Sequence, residues 1–444
     1  MVTMDNKSLK RVLVITYYWP PAGGAGVQRW LKFVKYFRDC GIEPVVYTPT
    51  NPELPAVDHS LLKDIPVGTE VIGTEIWEPY SFYKKFTGRK KEDGIGAGFI
   101  SENKKPSAKE KLAVWLRGNL FIPDARRFWI RPSINYLSDY LKKNPVEAII
   151  STGPPHSMHL IARGIKKRFP QIKWMADFRD PWTNIDFYED LMVSKAADRK
   201  HRKLEAAVLT EADIVVSVGA TMNEEFKEIW ASVHQSQQVP DKFKVVTNGY
   251  DDADVSSVPV ALDSKFSIAH IGTLNRSRNP EVLWKVLGDL VKSQPDFARR
   301  LEIKLVGKVD VLVRESIERY GLRDYVNKID YLPHDEVMRV QRSSHVLLLL
   351  VNRTKNAKGI LTGKFFEYMA AGRPVLAIGP DDGDLAVIMN ETKCGLISDF
   401  DDEQQLKLNI MHLFNNDADA SLASNISEYS RRNLTKKIAA LLFK

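Results

Sequence analysis

The stretch from Gly359 to Gly379 constrains the fold of this chain more than any other. A loop leads into a run of apolar residues at near-helical spacing, namely Phe365, Phe366, Met369 and Ala370. Gly372 is placed to end that helix, and Pro374 prevents the helix from resuming. The apolar run Val375–Ile378 then reads as a buried strand. The sequence therefore predicts a loop, a helix, a turn and a strand in succession.

The same helix carries residue types that suit a sugar nucleotide. Helical geometry places Glu367 one turn after Gly363 and Lys364, so the three share one face. Free N–H groups at the helix start add a partial positive charge. An anionic group could bind at Thr362–Lys364 while Glu367 accepts hydrogen bonds from vicinal hydroxyls. The alternative is an ordinary amphipathic helix with a solvated Lys364–Glu367 pair, and the spacing alone favours neither.

The block FFEYMAAGRPVLAIG, residues 365–379, resembles the donor-binding block of family 4 glycosyltransferases, which are retaining enzymes of the GT-B fold. The resemblance implies an α/β chain with two Rossmann-like domains facing across a cleft. Residues 1–250 would bind the acceptor, residues 265–425 would bind the nucleotide sugar, and residues 426–444 would pack back on the first domain. The family carries two glutamates separated by seven residues. Here Glu367 matches the second, and Gly359 stands in place of the first.

Length and cysteine usage fit this organisation. A chain of 444 residues suits two domains of roughly 200 residues each. Neither a signal peptide nor a transmembrane segment is visible in the sequence. Cys40 and Cys394 are too few for a disulfide framework or a zinc site. We therefore expect a cytoplasmic protein.

The positive charge is concentrated in one segment. Between Lys84 and Lys111 there are nine Lys or Arg residues against four acids, within a net charge of +8 for the chain. The following stretch, Leu116–Pro132, interleaves aromatic residues with arginines. This pattern predicts contact with an anionic membrane surface, peripheral on the inner face of the plasma membrane. A solvated loop is the alternative, and we find no nucleic-acid-binding signature.

The N-terminal residues predict a strand, a loop and a helix, at Arg11–Tyr17 and Val27–Asp39. The loop between them contains Gly24 and Gly26, but Arg29 stands where a dinucleotide fingerprint has its third glycine. A nicotinamide dinucleotide site is therefore not expected. The resemblance implies that this loop faces the cleft near the donor, and plain turn glycines are the alternative.

Two further groups of the first half follow strands. His156 comes after the strand Ala148–Ser151 and begins a helix, a place where ligand sites gather in open α/β sheets. The resemblance implies that His156 contacts the donor sugar or the acceptor. Asp177–Trp182, DFRDPW, packs three charges at a strand end, which predicts an internal ion-pair knot, an acceptor pocket or a mixture of both. We assign Arg179 and Asp180 to the acceptor.

The second half restarts with a strand, Phe266–Ile271, and a helix, Glu281–Gln294. The loop between them opens with Gly272 and contains Arg276 and Arg278, whose guanidinium groups match phosphate oxygens. Gly307 ends the next strand, and we assign it, with Gly272, Arg276 and Arg278, to the donor site. The sequence of Asp252–Asp254 spells the D-x-D metal triad, but it lies in a polar linker with no strand before it, so we do not assign a metal there.

Together with the family resemblance, these observations predict a sugar transfer from a nucleoside diphosphate sugar to a lipid-linked or saccharide acceptor in cell-surface polysaccharide or glycolipid synthesis. The resemblance implies retention of configuration. We expect neither cofactor nor metal, since Lys364 and Arg278 can neutralise the leaving diphosphate. The expected catalytic residues are His156, Lys364 and Arg278. Two alternatives stay open. One is an epimerase or hydrolase of nucleotide sugars, and the other is a non-catalytic membrane-associated binding protein.

Overall fold

The structure is a computed structural model that describes residues 9–54, 56–79, 108–186, 188–255, 259–416 and 424–443. The part of the predicted basic segment that runs from Lys84 to Ser107 lies outside the described residues.

Thirteen strands in the described residues form two parallel sheets. The strands of the first sheet are β1 Lys10–Ile15, β2 Ile42–Pro49, β3 Glu70–Thr74, β4 Ala148–Gly153, β5 Lys173–Phe178, β6 Ile214–Ser217 and β7 Phe243–Val245. Those of the second are β8 Phe266–Ile271, β9 Leu301–Val306, β10 Val326–Ile329, β11 Val346–Leu350, β12 Val375–Ile378 and β13 Gly395–Ser398. The strand orders are β3-β2-β1-β4-β5-β6-β7 and β10-β9-β8-β11-β12-β13.

Helices connect the parallel strands. Those of the first half are α1 Ala25–Phe37, α2 Ala108–Leu120, α3 Ile130–Lys143, α4 Ser157–Arg168, α5 Lys195–Glu211 and α6 Ala220–His234. Those of the second half are α7 Glu281–Ser293, α8 Pro295–Arg300, α9 Val311–Arg319, α10 His334–Ser343, α11 Gly363–Ala370, α12 Asp384–Thr392 and α13 Glu403–Asn415, followed by the last helix, α14 Arg431–Phe443. Both halves therefore have the Rossmann-like α/β arrangement that the sequence predicts.

Strand composition explains why these sheets are buried on both faces. Strand β11 reads VLLLL, and all five of its residues are buried. In β1, Leu13 and Ile15 join one apolar cluster, whereas Val12 and Val14 join another on the opposite face. Parallel sheets covered by helices on both faces require such continuous apolar runs. The apolar runs in the strands thus determine where each hydrophobic core lies.

The chain divides into two compact units, 1–247 with 431–444 and 248–430. Within the first unit, α14 packs against α1, and Lys173 Nζ donates to the carbonyl of Leu442 at 2.7 Å. Within the second unit, Tyr250 and Ser430 form a bridge between its two ends.

One sequence expectation on a helix is wrong. The sequence predicts a long helix over about Glu189–Thr210, but residues Glu189–Leu191 form a short 3-10 turn and α5 begins at Lys195. The Ser194 side chain accepts a hydrogen bond from Ala197 N and caps the helix. A serine with this role was not recognised in a charged, helix-favouring sequence.

Candidate functional site

The carboxyl edge of the second sheet contains two glycines in conformations that other residues rarely adopt. Gly272 has φ +121° and follows β8, and Gly307 has φ +107° and follows β9. Gly272 N donates to Val306 O at 2.8 Å, and Gly307 N donates to Ile329 O at 2.9 Å. A Cβ on Gly307 would lie 3.0 Å from the Gly272 carbonyl oxygen. Both glycines therefore allow a close approach that a side chain would obstruct.

The ammonium of Lys364 lies beside Gly272. A Cβ on that glycine would be only 2.6 Å from Lys364 Nζ. Burial and, to a smaller extent, the nearby charge of Arg278 lower the pKa of Lys364 to about 8, and the charge of Glu367 acts in the opposite direction. In the described part of the chain, no carboxylate forms an ion pair with Lys364. Two cations thus share a partly desolvated place, an arrangement that favours an anionic ligand.

Arg278 lies in a 3-10 turn, Arg276–Arg278, before α7. Its Nε donates to Asn352 Oδ1, so Asn352 holds the guanidinium in place. Arg278 is half-buried, whereas Arg276 is exposed. The structure thus brings Arg278, Lys364 and Gly272 together and leaves Arg276 at the solvent side of the turn.

Helix α11 begins where the sequence predicts, with Thr362 at its N-cap position. The buried Thr362 Oγ1 has no hydrogen-bond partner among the described residues. Gly363 is exposed at the helix start, and a Cβ there would meet nothing within 4 Å. Glu367 is exposed one turn later. An anion at this end would meet free backbone N–H groups, a hydroxyl and an ammonium.

His270 also lies near Lys364 and Arg278, although sequence reasoning did not identify it. Its Nδ1 lies 3.1 Å from the carbonyl of Leu348, which makes Nδ1 a donor. Nε2 is buried and has no partner in the described residues. Burial lowers the pKa of His270 to about 3, and the charges of Lys364 and Arg278 contribute. Its place at the end of β8, two residues before Gly272, was the signal that could have identified it.

The carboxyl edge of the first sheet is organised by Arg179. Its Nη1 donates to the carbonyl of Gly26 at 2.8 Å, and its Nη2 donates to the carbonyl of Pro154. The guanidinium thereby ties the loop before α1 to the loop before α4. Gly24 has φ +87°, and a Cβ on Gly26 would lie 2.8 Å from the Tyr18 ring. Both glycines predicted in this loop are therefore required by backbone geometry or close packing.

Asp177 and Asp180 have different environments. Asp177 is fully buried and accepts hydrogen bonds from Arg29, Trp30 Nε1 and Thr152 Oγ1, with Arg29 Nη2 at 2.7 Å. Asp177 therefore pairs with Arg29, which lies outside the charge cluster of residues 177–180 in which the sequence predicted an ion pair. Asp180 is exposed to solvent. Partial desolvation raises the pKa of Asp180, Arg179 opposes the rise, and Asp186 adds to it.

His156 lies at the N-cap position of α4 and is 7% exposed. Its ring stacks on Trp182, with centroids 4.5 Å apart and planes at 2°. Burial lowers the pKa of His156 well below its ordinary value, and the charges of His159, His201 and Arg179 add to that. The structure thus places a neutral imidazole near Arg179 in the first unit.

Three buried polar residues around His156 were missed from sequence. They are His159, His201 and Glu205, on helices α4 and α5. Trp182 Nε1 donates to His201 Nδ1 at 3.1 Å, and Glu205 accepts from Thr183 Oγ1 at 2.6 Å. Burial raises the pKa of Glu205 to about 7. Their helical spacing, 201 and 205, was a signal, but nothing in the sequence showed which face it would bury.

Neither a metal cluster nor a membrane span stands out in the part of the chain that the structure describes. No group of three His, Cys, Asp or Glu side chains is placed to hold a metal ion there. Asp252–Asp254 form a short 3-10 helix capped by Asp251. Among the described residues, every helix is too short or too polar to cross a bilayer.

Comparison with known proteins gives one family match. Residues 255–433 match the family described as "Glycosyl transferases group 1". This span covers most of the second unit, including Gly272, Arg278 and Lys364. No curated protein matches the chain.

Solved structures resemble the whole chain. A glycosyltransferase from Rickettsia africae has a TM-score of 0.59 at 12% identity, over 98% of both chains. A structure from E. coli described as "Trehalose-6-phosphate" bound with UDP-2-fluoro glucose also has a TM-score of 0.59 at 12% identity, over 98% of this chain and 99% of that one. Sucrose-phosphate synthase from Thermosynechococcus elongatus scores 0.53 at 14% identity, over 98% and 95%. At such identities the likeness concerns the fold, and the GT-B fold that the sequence predicts is confirmed.

Proposed function

We propose that this chain is a glycosyltransferase that moves a sugar from a nucleoside diphosphate sugar to a saccharide or lipid-linked acceptor. The family match of residues 255–433 supports the general activity. The observation that carries the proposal is the pair of cations, Lys364 and Arg278, at the carboxyl edge of the second sheet. A donor diphosphate would neutralise both charges, and its loss from the sugar would be stabilised by the same charges.

The donor site is built around the start of α11. The diphosphate would lie against Gly272, Thr362, Gly363 and Lys364, because these residues offer space, a hydroxyl, N–H groups and an ammonium. Gly307 would let the nucleotide approach the end of β9. Glu367 would accept hydrogen bonds from the ribose, one turn further along the helix.

The acceptor is assigned to the first unit. Asp180 is the better candidate for direct contact, since its carboxylate is exposed whereas both terminal nitrogens of Arg179 bind backbone carbonyls. Arg179 would shape the site by holding the loops of Gly26 and Pro154. His156 would contact the reacting sugar. We infer retention of configuration and a metal-independent reaction, on the grounds of the family resemblance and of the two cations.

Nucleotide-binding measurements test whether Arg278 binds the donor diphosphate. We expect UDP, GDP or ADP to raise the melting temperature of the full chain, and calorimetry would then give the affinity. Arg278→Ala should weaken that affinity about tenfold or more, because a charge-assisted hydrogen bond contributes roughly 1.5–3 kcal/mol. Arg276→Ala is the matched control, as this arginine is exposed in the same turn. Unchanged affinity in Arg278→Ala would remove Arg278 from the site.

Product analysis separates the activities that share this site. Transfer of sugar to an added acceptor would support the proposal. Consumption of donor without any acceptor would instead favour an epimerase or hydrolase. Failure of every nucleoside diphosphate and its sugar to bind would favour a non-catalytic protein.

We further propose that the first unit docks on an anionic membrane. The exposed side chains of Trp77 and Phe128 lie beside the half-buried Phe121, with the Phe128 ring centroid 4.9 Å from that of Trp77 and 6.1 Å from that of Phe121. Arg127 binds the carbonyl of Leu120 and lies 5.5 Å from the Phe128 ring. Aromatic side chains beside arginines suit a headgroup boundary.

Flotation with vesicles of anionic and of neutral lipids tests this docking. We expect binding to anionic vesicles at low salt and release at high salt, because each nearby cation contributes roughly 1 kcal/mol that salt screens. Replacing both Trp77 and Phe128 by serine should reduce binding. The control is Tyr331→Ser, since Tyr331 is 89% exposed in the other unit. No flotation at low salt would reject the proposal.

A further inference from the structure

We propose that Trp174 and Ser151 fix the ring tautomer of His159, and that His159 in turn holds the proton of His156 on Nε2. His156 would then serve its substrate as a hydrogen-bond donor and not as a base. The role toward substrate rests on the proposed function, whereas the tautomer does not. Ser151, Trp174 and His159 are positioning residues in this scheme.

Ser151 is a fully buried residue of β4. Trp174 Nε1 donates to Ser151 Oγ at 2.9 Å, and an indole nitrogen can only donate. Ser151 Oγ also lies 2.9 Å from His159 Nδ1. Among the described residues, that nitrogen is the sole acceptor for the serine proton.

This arrangement decides the tautomer of His159. If His159 Nδ1 carried the proton, Ser151 Oγ would accept two N–H groups and its own proton would be buried without an acceptor. A buried donor without a partner costs about 1–3 kcal/mol. With Ser151 donating to Nδ1, the serine hydroxyl both accepts and donates a hydrogen bond, and the proton of His159 lies on Nε2, near His156 Nδ1.

His159 Nε2 and His156 Nδ1 face the same point. A Cβ on Gly153 would lie 2.6 Å from the first nitrogen and 3.0 Å from the second. Both nitrogens are buried without a hydrogen-bond partner in the described residues. The two rings lie 5.9 Å apart, centroid to centroid. A glycine is therefore needed at 153 for the two imidazoles to approach.

The proton on His159 Nε2 then determines which ring nitrogen of His156 carries a proton. Two N–H groups directed at one point would repel each other, whereas an N–H and a lone pair attract. Because His159 carries its proton on Nε2, His156 Nδ1 is best left unprotonated. The stack on Trp182 fixes the ring plane, so the opposite edge, with Nε2–H, is the one left for a substrate.

Both rings are neutral near pH 7, which this scheme requires. Burial lowers the pKa of His159 to about 3. Burial and the charges of His159, His201 and Arg179 lower the pKa of His156. Asp177 acts in the opposite direction on His159 without cancelling the effect of burial.

Nitrogen-15 NMR of the histidine-labelled full chain at neutral pH tests the tautomers directly. We expect pyridine-like Nδ1 and pyrrole-like Nε2 signals for both His156 and His159, each assigned by loss of its signals in His156→Gln and His159→Gln. Ser151→Ala should shift the signals of His159 and His156 toward mixed tautomers. Gly153→Ala should shift both as well, because the methyl group would lie between the rings.

The second unit supplies a matched control. There Ser267 Oγ lies 3.3 Å from His345 Nδ1, so Ser267→Ala also removes a hydroxyl beside a buried histidine. That variant should leave the signals of His156 unchanged. A pyrrole-like Nδ1 on His156 in the wild type, or unchanged signals in Ser151→Ala, would overturn the proposal.

Activity measurements separate this inference from the proposed function. Glutamine can place an amide N–H near the position of histidine Nε2, whereas asparagine places one near Nδ1. We therefore expect His156→Gln to retain more transfer activity than His156→Asn at equal melting temperature. The reverse order would overturn the donor role. Full activity in both variants, with the expected NMR signals, would reject the role of His156 in transfer and leave the tautomer assignment standing.

Discussion

The carboxyl edges of the two sheets differ in whether their positive charges are paired with other groups of the protein. In the first unit, the buried guanidinium of Arg29 pairs with Asp177 at 2.7 Å, and Arg179 binds backbone carbonyls. In the second unit, Lys364 and Arg278 lie close together, and among the described residues neither forms an ion pair with a carboxylate. The first edge uses its cations to fix loops. The second keeps them available, at some cost in stability, for an anionic ligand.

We expect the largest effect, a loss of stability, from breaking the buried ion pair between Arg29 and Asp177. Arg29→Ala would leave Asp177 buried without its cation, and removing one partner of a buried pair typically costs about 3–5 kcal/mol. We expect urea unfolding, followed by tryptophan fluorescence, to show the first unit unfolding at markedly lower urea.

Arg11→Ala is the matched control for that experiment. Arg11 pairs with Glu70 where both side chains are partly exposed, so its loss should cost no more than about 1 kcal/mol. Equal effects of the two variants would contradict the contrast between a buried pair and a surface pair.

The second unit should respond in the opposite sense. Lys364→Met removes a desolvated charge, so the melting temperature should stay the same or rise. The affinity for nucleoside diphosphate should fall about tenfold or more, since roughly 1.5–3 kcal/mol of charge-assisted bonding is lost. Lys358→Met is the control, because Lys358 is exposed and pairs with Asp382. A large loss of stability in Lys364→Met would show that this lysine is structural.

The pH dependence of binding gives a smaller effect. The pKa of Lys364 is lowered to about 8 in the folded chain, below its ordinary value of 10.5. Between these two pH values the unfolded chain binds more protons at this residue, so this residue makes stability rise as pH rises. Diphosphate affinity should fall over the same interval, because the ammonium loses its charge. Calorimetry from pH 7 to pH 9.5 would measure the fall, and Lys364→Arg should flatten it.

The smallest effect concerns Glu367. If its carboxylate binds the donor ribose, Glu367→Gln should weaken donor binding with little change in melting temperature. If it only supports the helix through Lys364, affinity should be intact and stability should fall by a few tenths of a kcal/mol. A nucleotide without ribose hydroxyls supplies the decisive comparison. Equal affinity of the wild type for both nucleotides would exclude the ribose contact.

Much of the fold could be predicted because parallel strands have a strong sequence signal. The strand expected at Val375–Ile378 is found there, and α11 begins at Gly363 as the loop glycines indicate. Less regular strands escaped prediction, such as β3 Glu70–Thr74 at a sheet edge. An edge strand buries little surface, so its sequence does not have to be apolar.

The candidate site was predicted less completely. Lys364 and Arg278 could be identified because each lies at or just before the start of a helix that follows a glycine-bearing loop. His159 and His201 could not be identified, since a single histidine in a helix carries no sign of its neighbours, whereas the place of His270 two residues before Gly272 was a usable signal. The charge cluster Asp177–Asp180 gave the right residue types but could not assign Asp177 to Arg29, which is 148 positions away.

By itself, the sequence determined two α/β units, the order of their elements and the loops that carry charge, because apolar periodicity and glycine placement are local properties. The tertiary structure determined which of the charged side chains form ion pairs. Strand order brings Arg29 to Asp177 in the first sheet, while in the second it brings Lys364 to Gly272 and Arg278 with no buried carboxylate ion-paired to them among the described residues. Pairing depends on distances between residues far apart in the chain, and only folding sets those distances.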